Sequence, residues 1–152
     1  MLDVHFSSGK DDWETPDDLF AEWDAMFHFI LDAAANEHNH KVARWFGPGG
    51  EAEDALRVEW PVKEGNIWLN PPYSRGLQEA LVRRASCYGE SACLRRRATW
   101  HRRARLSGVV CLLPARTDTK LFHEVIQPYG KITFLRGRVR FKGAPHSAPF
   151  PS

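Results

Sequence analysis

Asn70-Pro71-Pro72-Tyr73 follows directly on the apolar run Asn66-Ile67-Trp68-Leu69. A buried strand that ends in a polar residue puts it where open α/β sheets hold their ligands, at the carboxyl edge. The two prolines fix φ and carry no N–H, so the carbonyls of Asn70 and Pro71 are expected to point outward as free acceptors. Tyr73 then presents a flat face beside them. One amide, one rigid carbonyl and one aromatic plate form a receptor for a planar group bearing an exocyclic amino group. A plain proline-rich turn is the other reading of the same four residues.

The rest of the chain supplies a sheet for that edge. Leu19, Phe20, Trp23, Met26 and Phe27 recur at helical spacing, behind Thr15 as N-cap and Pro16 as first helical residue. Phe29-Ile30-Leu31 reads as a strand ending at Asp32, and Gly47-Pro48-Gly49-Gly50 as a turn. Ala55-Leu56 reads as a weak strand, Ile67-Trp68-Leu69 as a strand, and Val109 to Leu113 as a buried strand stopped by Pro114. A helix is expected from about Thr119 to Gln127, then strands at 132–135 and 139–141 and a proline-rich tail. Residues 1–12 read as a loose lead-in. Strands alternating with helices imply an α/β fold with a mostly parallel, doubly wound sheet.

With 152 residues, 43% apolar and 26% charged, a single domain over 1–152 with a real core is expected. No apolar run is long enough to span a bilayer, and no leader or internal repeat is visible, so a cytoplasmic protein without a membrane partner is expected. Cys87, Cys93 and Cys111 lack the C-x2-C pairing of a zinc site and read as free thiols. His38 and His40, two apart on a loop, suggest no metal either.

The net charge of +2 hides an asymmetry. Residues 75–106 hold nine arginines against Glu79 and Glu90, while the remainder holds twelve Lys/Arg against seventeen Asp/Glu. Such a block suits a phosphate backbone, or is simply a solvated face.

A sulfonium methyl donor needs small residues after the first strand, a later acid to accept from its adenosine, and a donor-rich helix start for its carboxylate. Asp32-Ala33-Ala34, Asp54 and Thr15-Pro16 are candidates for these parts. Each also has an ordinary reading, as a helix cap, a loop acid or a plain helix start.

The matching pieces are Trp13-Glu14-Thr15-Pro16, Leu31-Asp32-Ala33-Ala34-Ala35, Asn39 and Lys41, Asp54-Ala55-Leu56 with Trp60, and Trp68 to Ser74. Leu113-Pro114-Ala115-Arg116-Thr117-Asp118-Thr119, Gly137-Arg138 with Phe141, and Ala148-Pro149-Phe150-Pro151-Ser152 complete them. Together they resemble the bacteriophage-type DNA N6-adenine methyltransferases, small prophage enzymes, over nearly the whole chain except 80–106. The resemblance implies a Rossmann-like sheet that uses S-adenosylmethionine, double-stranded DNA as partner and no metal; the sequence does not give the oligomeric state, for which a monomer is the default expectation. It implies that Thr15 and Pro16 line the donor's carboxylate end. Asp32 with Ala33 and Ala34 would contact the donor's amino-acid part, and Asp54 would accept from its adenine. Asn70 and Pro71, set by Pro72, would hold the target amino nitrogen, and Tyr73 would stack on the extruded base beside Ser74. Arg116, Thr117 and Asp118 match an element counted with substrate binding; Arg116 and Asp118 are equally readable as an ion pair. N4-cytosine and protein-glutamine methyltransferases would use the same Asn-Pro-Pro-Tyr element, and a nucleic-acid-binding prophage remnant is the non-enzymatic reading.

The sequence departs from that pattern in three places. Ala33-Ala34-Ala35 stands where the family has a glycine-rich loop. Residues 76–106 should contain the helix that returns to the next strand, but the apolar periodicity fades after Val82, and part of 80–106 reads as translated out of frame. The family continues beyond Ser152 into an apolar strand, so a sheet lacking its last C-terminal strand, and marginal stability, are expected.

Overall fold

The computed structural model describes residues 13–98, 107–144, 146, 148 and 151–152. The lead-in at 1–12, Arg102-Arg103, Pro149 and Phe150 lie outside the described residues. Three parallel strands form the sheet in the order β1 (Phe29–Asp32), β2 (Asn66–Leu69), β3 (Val109–Cys111). Leu31 pairs with Ile67 and Asp32 with Trp68, while Ile67, Trp68 and Leu69 pair with Val109, Val110 and Cys111.

Both faces are covered, as parallel strands require. The two-residue period sends Ile67 and Leu69 to one face, where Leu31, Trp60, Leu81 and Ala85 pack, and Trp68 to the other. Phe29 and Leu31 would share a face in a regular strand. A register irregularity between them sends Phe29 to join Trp68, Val139 and Phe141. Helix α1 (Asp17–Phe27) closes that second face with Leu19, Phe20, Trp23 and Phe27.

The α1 start differs from expectation. Thr15 does not cap it; Pro16 is the N-cap residue, no side chain caps it, and the helix begins at Asp17. Asp17 and Asp18 in the first turn complement the helix dipole instead. His28, in the left-handed region at φ 55, ends the helix by donating to the Asp24 carbonyl.

Helix α2 (Arg75–Ala98) is the return helix expected within 76–106, and residues 99–106 lie outside the described residues. Its stripe is Leu77, Leu81, Ala85 and Tyr88, spaced four, four and three, and it packs on the first core face. The Tyr88 hydroxyl accepts from the Trp60 backbone N–H at 2.8 Å while its ring stacks on Trp60, so the stripe continues beyond Val82, where the apolar periodicity was expected to fade. Strong helix formers carry the backbone beyond Tyr88.

Three expected strands are absent among the described residues. Ala55-Leu56 sits in a turn closed by Asp54, whose Oδ1 accepts from the Leu56 N–H at 2.8 Å. Residues 132–135 and 139–141 pair with no strand among the described residues; single bonds from Leu135 to Ser152 and from Ala148 to Val139 hold them. β3 stops at Cys111, short of Leu113. The expected 119–127 helix is present, but Phe122–Ile126 forms a wide turn before Gln127–Tyr129, with Gln127 donating to the Phe122 carbonyl five residues back. Pro128 has no N–H and crowds the carbonyl four residues earlier, which suits a widened turn. No helix of the described residues is long and apolar enough to cross a membrane.

Gly47 opens the expected turn at φ 133, and a Cβ there would come 1.8 Å from the Ala35 carbonyl oxygen. Gly143 also has positive φ, 74, but nothing within 4 Å. Gly47→Ala should therefore lower unfolding stability by more than about 3 kcal/mol, while Gly143→Ala costs about 1 kcal/mol, read by denaturant melts. Equal losses would show that the close approach to Ala35 is not what matters.

Candidate active site

A shallow cleft, open to solvent, lies at the carboxyl ends of β1 and β2. Asp32 and Ala34 line it from the end of β1, and Trp68, Asn70, Pro71 and Pro72 from the end of β2. Trp13, Glu14 and Thr15, leading into α1, form a third wall, and Asn39 and Lys41 a fourth. A second, smaller cleft lies between Glu53 to Leu56 and the α2 residues Leu77 and Leu81, and shares Ala34 with the first.

Asn70 is fixed on one side and open on the other. Its Nδ2 donates to the Trp13 carbonyl at 2.6 Å and to Thr15 Oγ1 at 3.0 Å. A carbonyl only accepts, so the amide has one orientation. Its Oδ1 is buried and has no hydrogen-bond partner among the described residues. An orphaned buried acceptor costs about 1–3 kcal/mol, so it marks a place where a donor is meant to arrive. The Asn70 and Pro71 carbonyls likewise accept no hydrogen bond among the described residues.

Tyr73 takes a different position from the expected open plate. Its ring lies 6.5 Å from Trp13, nearly parallel, and 5.9 Å from Phe141, edge on. It is absent from the lining of the cleft, whereas Trp13 is part of it. Burial pushes the Tyr73 hydroxyl above the usual phenol range. Ser74 serves the α2 start, its carbonyl accepting from Gln78.

Asp32 is buried, its Oδ1 accepting from the Ala34 N–H at 3.3 Å and its Oδ2 from the Lys41 N–H at 3.0 Å. Burial raises its pKa from 3.8 to about 6 against the pull of those two N–H groups. Ala33 is fully buried and donates to the Trp68 carbonyl. Asp54 is engaged on both oxygens, by Leu56 N–H and by Arg57 Nε at 3.1 Å. Pro16 is not among the lining residues, and Arg116, Thr117 and Asp118 are exposed on the loop after β3 with no ion pair between Arg116 and Asp118.

Sequence reasoning missed Glu14, Asn39 and Lys41 as lining residues. Lys41 is nearly buried, and its Nζ bonds Glu14 at 2.9 Å and Asp17 at 2.7 Å; Lys142 reaches the same two acids. Lys142, then Lys41, holds the Asp17 carboxyl down at about 2. The signal was present: Asn39 and Lys41 follow the first strand at a short distance, where a loop must return over the carboxyl edge. Among the described residues no group of three His, Cys, Asp or Glu could hold a metal ion.

The raised Asp32 pKa has a sign. The folded chain holds this proton more tightly than the unfolded chain, so the stabilisation is complete below about 3.8 and is lost as pH rises through about 6. The native chain should lose about 3 kcal/mol across that window, a loss missing from Asp32→Asn, and carboxyl NMR should place the Asp32 midpoint near 6. A midpoint near 4 would show that the carboxyl is not desolvated.

Comparison with known proteins agrees with this geometry. A DNA N-6-adenine-methyltransferase of Escherichia phage T1 is 34% identical over 67 residues, 43% of this chain, and the match spans 26% of that protein's length. No solved structure matches. The family model described as DNA N-6-adenine-methyltransferase (Dam) matches residues 5–149, and the chain belongs to that family.

Proposed function

We propose that this chain transfers a methyl group from S-adenosylmethionine to N6 of adenine in double-stranded DNA, on a Rossmann-like sheet. The observation that carries the reading is the buried Asn70 Oδ1, without a partner, in an amide held by Trp13 and Thr15 at the edge of a cleft. Family membership favours adenine N6 over the other amino groups that such an acceptor would suit.

The residues fit the donor. Ala33 and Ala34 let a ligand approach the backbone closely, and Ala34 borders both clefts, so one molecule can lie across them. The Asp32 carboxylate, above its pKa at neutral pH, favours a cationic ammonium in the first cleft. The leucines and Asp54 of the second cleft suit a flat, partly polar ring. When bound, the donor supplies an electrophilic methyl group.

The lone pair of an adenine amino nitrogen is delocalised into the ring, which makes it a poor nucleophile. Asn70 Oδ1 and the Pro71 carbonyl accept its two N–H bonds, favour a pyramidal nitrogen and turn the lone pair toward the donor. The same acceptors would stabilise the positive charge that grows on nitrogen as the methyl group passes to it, the S–CH3 bond of the sulfonium breaking to leave a neutral thioether, until one proton leaves to water. Thr15 and the Trp13 carbonyl act as positioning groups, because they keep Oδ1 aimed without moving during the reaction. The base must leave the duplex to reach this site, at a cost of a few kcal/mol. Trp13 with Tyr73 against it provides the aromatic surface that offsets part of that cost, about 1–3 kcal/mol per stacked base.

Asn70→Ala should reduce methyl transfer to unmethylated DNA by about 100- to 1,000-fold while calorimetry shows donor binding intact. Nucleoside digestion of the product of the native chain should yield N6-methyladenine. Methylation at N4 of cytosine, or full activity in Asn70→Ala, would overturn the assignment.

A further inference from the structure

The two α2 arginines with described side chains, Arg83 and Arg84, are both engaged. Arg83 pairs with Glu79 at 2.9 Å and reaches Glu124 at 3.7 Å. Arg84 donates to the Val58 carbonyl at 2.7 Å and lies over the Tyr88 ring. Arg116, Arg136, Arg138 and Arg140, by contrast, are exposed, and their side chains make no hydrogen bond or ion pair among the described residues.

The backbone gathers these four onto one surface. Ala115 donates to the Pro151 carbonyl at 2.7 Å and Leu135 to the Ser152 carbonyl at 3.0 Å, so Arg116 and Arg136 flank the same dipeptide. Val139 and Phe141 point into the core, which turns Arg138 and Arg140 outward about 7 Å apart along the chain. No acidic residue occurs from position 125 to 152. Beside the arginines, Phe134 is 61% exposed and Tyr129 47% exposed. Phe141 packs 5.4 Å from Trp13, which lines the cleft, so the strip leads to the cleft mouth.

We infer that this strip is the surface that holds the DNA duplex, with Arg116, Arg136, Arg138 and Arg140 on backbone phosphates and Phe134 on sugar or base edges. Unpaired guanidiniums suit phosphates geometrically as well as by charge. Interleaved exposed aromatics are what a purely solvated basic face does not need. The inference rests on the proposed DNA substrate and assigns the residues that grip it.

Each phosphate contact lowers log K by about 0.9 per decade of salt. Anisotropy of a labelled 20-base-pair duplex, without donor, from 50 to 300 mM salt therefore reads the number of contacts. Combined Arg136→Gln, Arg138→Gln and Arg140→Gln substitutions should reduce the slope by about 3, and Arg116→Gln alone by about 1. Phe134→Ala should weaken binding several-fold at an unchanged slope. Circular dichroism should show every variant folded, since all five side chains are exposed. A slope unchanged in the triple variant, or no duplex binding by the native chain, overturns the inference. Duplex binding that depends on these arginines in a chain that transfers no methyl group upholds it while sinking the proposed activity; methylation with an unchanged slope does the reverse.

Discussion

The bond from Asn70 Nδ2 to the Trp13 carbonyl ties the end of the middle strand to the segment that leads into α1. Several features follow from it. Thr15 turns toward Asn70, is buried there, and is thereby lost to the helix as a cap. Trp13 is brought against Tyr73 and Phe141, so an aromatic wall stands behind the amide. With both donors of the amide used, its oxygen is the group left over. The same arrangement that completes the second core face thus leaves one acceptor unsatisfied beside a cleft.

Much of the sheet was legible from residues 29–31, 67–69 and 109–113, because short β-branched and aromatic runs bounded by Asp, Pro or Gly have few other uses. Asn70 was legible for the same reason, as the polar residue that ends a buried strand. Residues 132–135 and 139–141 carry equally good strand patterns, yet strand identity requires a partner, and a pattern of side chains does not supply one. The return helix was expected within 76–106, but its extent past Val82 was not legible, because the Tyr88 position becomes part of the stripe only through Trp60, which stacks on its ring and bonds its hydroxyl.

The site divides the same way. Asp32, Ala34, Thr15 and the Asn-Pro-Pro triplet line one cleft, and Asp54 with Ala33 the other, from positions far apart in sequence. The place of Tyr73 behind Trp13 was not legible, since ring packing depends on Phe141, sixty-eight positions away. The engagement of Arg84 was equally hidden, because its partner, the Val58 carbonyl, comes from outside the helix.

Lys41 joins two walls of the larger cleft with one side chain. Its backbone N–H bonds Asp32 at the end of β1, and its ammonium bonds Glu14 and Asp17 at the start of α1. The gap between those walls is therefore gauged by the reach of a single four-carbon stem. The opening behaves as a braced frame: a molecule entering it finds a width already set, and any widening has to swing the 13–17 segment and Lys142 as one piece rather than loosen either alone.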